Sequence, residues 1–214
     1  MPLLLLDLDN TLIDRDAAFR AAMTAFLAEH ALPARDVAWL MAVDADGCTP
    51  RAEVAAAMTA RYGPRVPASA IRTVLDHGAA DRVTLPDPVR TSLLAASAAG
   101  WTPVVVTNGR TAQQTEKIRR TGLDALVDSW VISEAVGHKK PAPELFCAAA
   151  VGRSLDDAWM IGDAPRADIG GAHALGLRTV WLTRGRTWQE RDFTPTRTAD
   201  DVVEAIDGLP SVRP

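Results

Sequence analysis

The fold is indicated first by an apolar run that ends in two acids, Leu3-Leu4-Leu5-Leu6-Asp7-Leu8-Asp9-Asn10-Thr11. Four consecutive leucines have the length of a strand and show no polar alternation, which favours a parallel strand covered on both faces. Asp7 and Asp9 follow the run, so both carboxylates can lie at the carboxyl edge of a parallel sheet, where open α/β folds bind ligands. Two acids beside such a run are costly to bury unless they are paired or bind a metal ion.

Further strand-length runs alternate with helical patterns in the rest of the chain. The runs lie at 103–106, 129–132, 158–161 and 178–182. The helical patterns lie at about 88–99, 111–121, 142–151 and 165–175, and at 199–207 after a polar, arginine-rich segment at 183–198. This alternation predicts an α/β fold with a Rossmann-like, doubly wound parallel sheet.

The interval between the first two runs follows a different pattern. Residues 15–85 have almost no strand signal but show helical spacing, which predicts three or four short helices. Thr49 is expected to cap one that starts at Pro50. We therefore expect a core formed by residues 1–14 and 86–214, with an inserted helical subdomain at 15–85.

A second pair of acids follows the run at 158–161. Asp163 comes two residues after that run, and Asp168 lies five residues further on. A carboxylate such as that of Asp7 can attack the phosphorus atom of a phosphate group only if the repulsion between these two anions is reduced. Mg²⁺ held by oxygen ligands reduces it. Asp163 is expected to bind that ion, although an Asp here could also cap a helix. Crowding by Asp7 and Asp163 is expected to push Asp9 toward its protonated form, so that it can act as general acid and base.

Donors for phosphate oxygens are expected after the run at 103–106. Thr107 and Asn108 precede Gly109 and a helix, although an ordinary turn would use the same residue types. A cation is expected from Lys139 or Lys140, because either could neutralise a carboxylate cluster together with a bound phosphate.

Four segments, in this order, resemble the motifs of the haloacid dehalogenase superfamily: Asp7-Leu8-Asp9-Asn10-Thr11, Thr107-Asn108-Gly109, Lys140-Pro141 and Gly162-Asp163-Ala164-Pro165-Arg166-Ala167-Asp168. The resemblance covers nearly the whole chain. Its specificity comes from the combination, because any one of these motifs would often occur by chance. Residues 15–85 resemble the C1-type helical cap of this family, a lid that usually selects the substrate.

The resemblance implies a role for each matching residue. Asp7 would be the nucleophile, Asp9 the general acid and base whose backbone carbonyl also binds metal, and Thr107 the phosphate-binding hydroxyl. Lys140, rather than Lys139, would be the lysine of the motif, because it immediately precedes the proline. The implied Mg²⁺ ligands are Asp7, Asp9, Asp163 and Asp168.

The function expected from these residues is Mg²⁺-dependent hydrolysis of a small-molecule phosphate monoester through a phospho-aspartate. A sugar phosphomutase would retain the same residues. A 2-haloacid dehalogenase is disfavoured by Asp9, because the dehalogenases of the family lack that second acid. A non-catalytic phosphate-binding module is a further alternative. The identity of the ester and the cap residues that contact it are not predicted.

The composition sets the remaining expectations. With 214 residues, of which 48% are hydrophobic and 23% charged, the chain is of ordinary globular composition. Its net charge of -4 offers no basic field for nucleic acid, and no apolar run approaches the length of about 20 residues that spans a membrane. Cys48 and Cys147 lack metal-type or redox-type spacing, which favours reduced structural thiols and a cytoplasmic location. The expected partner is a small phosphorylated metabolite, and the chain is expected to be a monomer or homodimer.

Overall fold

The computed structural model describes residues 1–78 and 80–212, and the chain divides into two compact units. The first unit contains residues 1–13 together with the chain from residue 84 onward, and the second contains residues 14–83. These boundaries lie one and two residues before the expected ones at 14/15 and 85/86.

A six-stranded parallel sheet forms the centre of the first unit, as far as its described residues extend. The strands are β1 (Leu3–Leu6), β2 (Thr102–Thr107), β3 (Ser129–Ile132), β4 (Trp159–Gly162), β5 (Arg178–Leu182) and β6 (Arg197–Ala199). Their order is β3-β2-β1-β4-β5-β6, and every neighbouring pair is parallel. The predicted Rossmann-like α/β fold is confirmed. The strand order reverses at β1, which lies between β2 and β4, and such a reversal is where sheets of this kind bind ligands.

Within the described part of the second unit, four α-helices follow one another: α1 (Arg15–Glu29), α2 (Asp36–Asp44), α3 (Arg51–Tyr62) and α4 (Ala68–His77). Short 3₁₀ turns occupy Ala45–Gly47 and Ala80–Arg82. The predicted cap at Thr49 is wrong, because α3 begins one residue later than expected and Pro50 is its N-cap residue. The backbone N–H of Thr49 donates instead to the carbonyl of Asp44.

The helices of the first unit lie between its strands and after the last strand. They are α5 (Asp87–Ala98), α6 (Thr111–Arg120), α7 (Ser133–Val136), α8 (Pro143–Ala149), α9 (Gly171–Ala174) and α10 (Val202–Asp207). A 3₁₀ turn covers Leu123–Ala125. Side chains from β1, β2, β4 and α8 pack into one buried apolar cluster that includes Leu5, Val104, Phe146 and Met160. Burying side chains of this size stabilises the fold by roughly 1.5–3 kcal/mol each.

Helix α7 was not predicted, and other parts of the first unit also differ from the sequence expectations. A π-helical segment, Pro165–Gly170, precedes α9 where one continuous helix was expected, and two adjacent glycines mark the change. Strand β6 was not predicted, because a polar edge strand carries no apolar run. The last helix therefore begins at Val202 and not at Ala199.

The described residues include no helix with the length and apolar character needed to cross a bilayer. Cys48 and Cys147 are both exposed.

A buried ion cluster links α1, α2 and α3 within the second unit. Asp44 is fully buried and accepts hydrogen bonds from Arg15, from Arg51 at 2.7 Å and from the backbone N–H of Gly47 at 2.9 Å. The Phe19 ring lies 4.7 Å from the guanidinium carbon of Arg15 and 5.5 Å from that of Arg51. Arg15 Nη1 also lies 3.1 Å from Asp16 Oδ1, so Asp44 is the carboxylate that the two guanidinium groups share.

We predict that Asp44→Asn lowers the free energy of unfolding by about 3 kcal/mol, because removing one partner of a buried ion pair leaves the other charge poorly compensated. Urea unfolding followed by circular dichroism measures the change. Asp128→Asn is the matched control, because Asp128 and Arg153 form a solvent-exposed pair worth less than about 1 kcal/mol. Equal effects of the two substitutions would contradict the prediction.

Candidate active site

Three buried carboxylates meet where β1 and β4 end. Asp7 follows β1, Asp163 follows β4, and Asp168 lies in the π-helical segment. One oxygen from each carboxylate lies within 4.8 Å of the others. The backbone N–H of Asp7 donates to the carbonyl of Ile161 at 3.0 Å, which extends the pairing of the two strands to this edge. The parallel register therefore brings together acids that are far apart in the sequence.

Lys140 connects this carboxylate cluster to β2. Its Nζ lies 2.6 Å from Asp7 Oδ1, 2.7 Å from Asp168 Oδ1 and 2.6 Å from the carbonyl oxygen of Val106. The first and third of these contacts are hydrogen bonds, whereas Asp168 Oδ1 is buried and forms an ion pair with Lys140 without accepting a hydrogen bond. Burial alone would lower the pKa of Lys140, but Asp168 and Asp7 raise it above its usual value. Lys139, the other candidate, is exposed.

Burial makes two carboxylates of the cluster harder to ionise than they are in water. Burial raises the pKa of Asp7 to about 8, and Asp168 and Asp163 add to this effect against the opposing charge of Lys140. Burial also raises the pKa of Asp163 to about 6, with a further contribution from Asp168. Three buried carboxylate oxygens within 4.8 Å of one another suit a divalent cation, and Mg²⁺ prefers oxygen ligands. Asp7, Asp163 and Asp168 are the residues that would hold it.

Two arginines that the sequence reasoning missed contact Asp163. Asp163 Oδ2 lies 3.2 Å from Arg184 Nη1 and 3.3 Å from Arg186 Nη2. Arg186 also donates to the backbone carbonyl of Asp163 at 2.6 Å, and to the carbonyls of Leu182 and Thr183. Both arginines oppose the rise in the pKa of Asp163. Their only signal in the sequence was the arginine-rich segment after β5, which has no periodic pattern.

Asp9 lies in a different environment from the one expected. Its carboxylate is not part of the three-acid cluster. Lys117 Nζ lies 2.7 Å from both of its oxygens, and Gln114 Nε2 donates to Oδ2 at 3.0 Å. The expectation that neighbouring carboxylates crowd Asp9 was therefore wrong, because a lysine and an amide from α6 surround it. Neither α6 residue was predicted.

The expected phosphate-binding segment lies at the end of β2. Thr107 is buried, and its Oγ1 accepts a hydrogen bond from Gln114 at 2.7 Å. The side-chain amide of Asn108 pairs with the backbone of Lys140, donating to its carbonyl at 3.1 Å and accepting from its N–H at 2.8 Å. The N–H of Gly109 donates to Ser133 Oγ at 3.0 Å. Asn108 thus holds the backbone of Lys140, and the Thr107 hydroxyl donates to the Asn108 carbonyl at 3.4 Å.

The fold and these residues define the class of the protein. A model of the haloacid dehalogenase-like hydrolase family matches residues 4–182, and the chain belongs to that family. The family resemblance stated from the sequence is thereby confirmed.

The chain is also similar in sequence to individual proteins with assigned names. Over 122 residues the chain is 34% identical to a glyceraldehyde 3-phosphate phosphatase of Pyrococcus furiosus, an alignment that covers 56% of this chain and 50% of that protein. The chain spans about half the length of the curated relatives it matches.

Two solved structures share the fold. The putative HAD-hydrolase YfnB of Bacillus subtilis, solved with magnesium, matches with a TM-score of 0.77 and 23% identity, covering 96% of this chain and 97% of that one. The L-2-haloacid dehalogenase Rha0230 matches with a TM-score of 0.73 and 16% identity, covering 98% and 95%. At these identities the similarity shows the fold alone.

We predict that the protein binds Mg²⁺ and that Asp163→Asn weakens this binding at least tenfold, about 1.4 kcal/mol, because a charged oxygen ligand becomes neutral. Isothermal titration calorimetry with MgCl₂ measures the affinity. Asp157→Asn is the matched control, because Asp157 is 76% exposed and precedes β4 at the opposite end of the strand. A wild-type affinity in Asp163→Asn would contradict the assignment of this ligand.

Proposed function

We propose that this chain is a Mg²⁺-dependent phosphatase that hydrolyses a small-molecule phosphate monoester through a phospho-aspartate at Asp7. The observation that carries the proposal is the buried Asp7 carboxylate, held by Lys140 beside Asp163 and Asp168 at the point where the strand order reverses. The name of the Pyrococcus furiosus relative supports a phosphorylated substrate. When bound, Mg²⁺ would reduce the repulsion between Asp7 and the incoming phosphate.

In the first step, Asp7 attacks phosphorus and the ester P–O bond breaks. Lys140 holds Asp7 Oδ1, so we assign the attack to Oδ2. In the structure Lys117 and Gln114 donate to the Asp9 oxygens, so Asp9 first takes up the proton of a phosphate ester that binds as its monoanion. Asp9 then donates this proton to the departing ester oxygen, which leaves as an alcohol. The Thr107 hydroxyl donates to a phosphoryl oxygen during this transfer.

In the second step, water attacks the phosphorus atom of the aspartyl phosphate. Asp9 accepts a proton from that water, the bond between Asp7 and phosphorus breaks, and inorganic phosphate leaves. Asp9 thereby regains the proton that it donated in the first step. Because Asp9 serves both steps, the orientation of its carboxylate matters throughout the cycle.

We propose that the helical unit is a C1-type cap that selects the ester. Its position in the sequence, between the segments that carry Asp9 and Thr107, and its compactness as a separate unit support this assignment. Triose phosphates, other sugar phosphates, nucleoside monophosphates and phosphoglycolate are the substrates to test first.

The other reactions open to this fold differ in their products. A phosphomutase would convert a sugar phosphate into its isomer without net phosphate release. A dehalogenase would release halide from a 2-haloacid and has no leaving oxygen that requires a proton. The presence of Asp9 favours phosphate ester hydrolysis over dehalogenation.

We predict that Asp7→Asn reduces Mg²⁺-dependent phosphate release roughly 10³-fold or more, because the amide cannot act as the nucleophile. A screen of phosphate esters, with a colorimetric assay of free phosphate, measures this loss on the best substrate. Asp157→Asn should retain wild-type turnover, and circular dichroism checks the folding of both variants. A folded Asp7→Asn variant with near-normal turnover would exclude Asp7 as the nucleophile.

We also predict that Asp9→Asn gives a burst of p-nitrophenol from p-nitrophenyl phosphate. This leaving group needs no proton, so Asp7 can still be phosphorylated, whereas hydrolysis of the intermediate loses its general base and slows by about 10²–10⁴-fold. Stopped-flow absorbance should show about one equivalent of p-nitrophenol per chain before slow turnover. Linear release from the first turnover at the wild-type rate would argue against this role for Asp9.

A further inference from the structure

The inward face of α6 carries polar side chains that the four motifs do not include. Gln114, Lys117 and Ile118 are 2%, 4% and 0% exposed, and their spacing places them on one side of the helix. An amide and an ammonium group are costly to bury unless their hydrogen-bonding groups find partners. The identity of those partners therefore indicates what the two polar residues do.

The partners of Lys117 and Gln114 include two residues of the proposed mechanism. Lys117 Nζ lies 2.7 Å from both oxygens of Asp9. Gln114 Nε2 donates to Asp9 Oδ2 at 3.0 Å and to Thr107 Oγ1 at 2.7 Å. The same nitrogen lies 3.4 Å from the Asn108 carbonyl oxygen, a longer contact. A side-chain amide has two N–H bonds, and the two shorter contacts involve Asp9 and Thr107.

These contacts restrict two rotations. With both oxygens held, the Asp9 carboxylate cannot turn about its side-chain bonds without breaking contacts to α6. Thr107 Oγ1 accepts from Gln114, so the hydroxyl hydrogen points away from that amide. It is donated to the Asn108 carbonyl at 3.4 Å, a long contact that a phosphoryl oxygen can replace. One helix face thus orients the proposed proton donor and the proposed phosphate ligand together.

We propose that Gln114 and Lys117 are positioning residues that hold the Asp9 carboxylate and the Thr107 hydroxyl in the orientation required for phosphoryl transfer. This inference rests on the proposed function and assigns roles to two residues outside the four motifs. Misplacement of a reacting group by about 1 Å can cost roughly 100-fold in rate, so the effect is large enough to measure.

The first test uses Lys117→Met and Gln114→Leu, which keep side-chain size but remove the donors. Arg120→Met is the matched control, because Arg120 is on the same helix, half exposed and paired with Glu116 at 3.5 Å. Each variant is assayed with p-nitrophenyl phosphate and with the best alkyl phosphate from the screen. For the alkyl ester we expect kcat/KM to fall about 100-fold in Lys117→Met and about 10-fold in Gln114→Leu. Arg120→Met should match the wild type.

The aryl ester separates positioning of Asp9 from direct contact with substrate. Its departure needs no proton, so its kcat/KM should fall less than about 5-fold in Lys117→Met, while its kcat falls because hydrolysis of the intermediate still uses Asp9. A double-mutant comparison adds a second readout: Lys117→Met should cost little more in the Asp9→Asn background. Equal losses on both esters, or losses that multiply with Asp9→Asn, would overturn the proposal.

Crystal structures test the proposal without relying on turnover. Asp9 should adopt one conformer in the wild type and in Arg120→Met, and a rotated conformer or several conformers in Lys117→Met. An unchanged Asp9 conformer in folded Lys117→Met and Gln114→Leu variants would reject the positioning role. If Lys117→Met does not fold, Gln114→Leu decides the same question. A wild-type protein that releases no phosphate from any ester would count against the proposed function, while the crystallographic comparison would still decide the positioning role.

Discussion

Like charges are expensive to bury together, and three carboxylates lie buried at the carboxyl ends of β1 and β4. A buried lysine offsets part of this cost. Lys140 reaches in from the segment between α7 and α8 and links Asp7 and Asp168 to β2. Burial raises the pKa values of Asp7 and Asp163, and the three carboxylate oxygens lie close enough together to share a divalent cation.

The sheet brings the acidic side chains together, and basic side chains from other segments compensate their charge. The parallel register places the ends of β1, β2 and β4 at one edge, so that side chains from distant parts of the sequence meet there. Separate segments supply the counter-charges: Lys140 for the cluster, Arg184 and Arg186 for Asp163, and Lys117 for Asp9. Two sets of groups result. Asp7, Asp163 and Asp168 form the set suited to a metal ion and a nucleophile, and Asp9 with its partners from α6 forms the other.

The sequence was informative where structure depends on local pattern. The run at 3–6 predicted a buried strand because it has the length of a strand and no polar alternation. The location of Asp7 and Asp9 at the ligand-binding edge was predictable because they follow the carboxyl end of that strand. The partners of those acids were not predictable in this way, because Lys117 lies 108 residues from Asp9 and contacts it only in the folded chain. A signal did exist: Gln114 and Lys117 share the face of a predicted helix with Ile118, and polar residues on an inward face need partners.

The central claim is that the phosphoryl group passes through Asp7. The most direct measurement is a rapid acid quench of the wild-type protein during a single turnover of a ³²P-labelled ester, followed by proteolysis and mass-spectrometric mapping of the labelled peptide. We expect transient label on the peptide that contains Asp7, with formation and decay rates fast enough to support turnover. Complete release of labelled phosphate with no enzyme-bound label, or label on a residue other than Asp7, would contradict it.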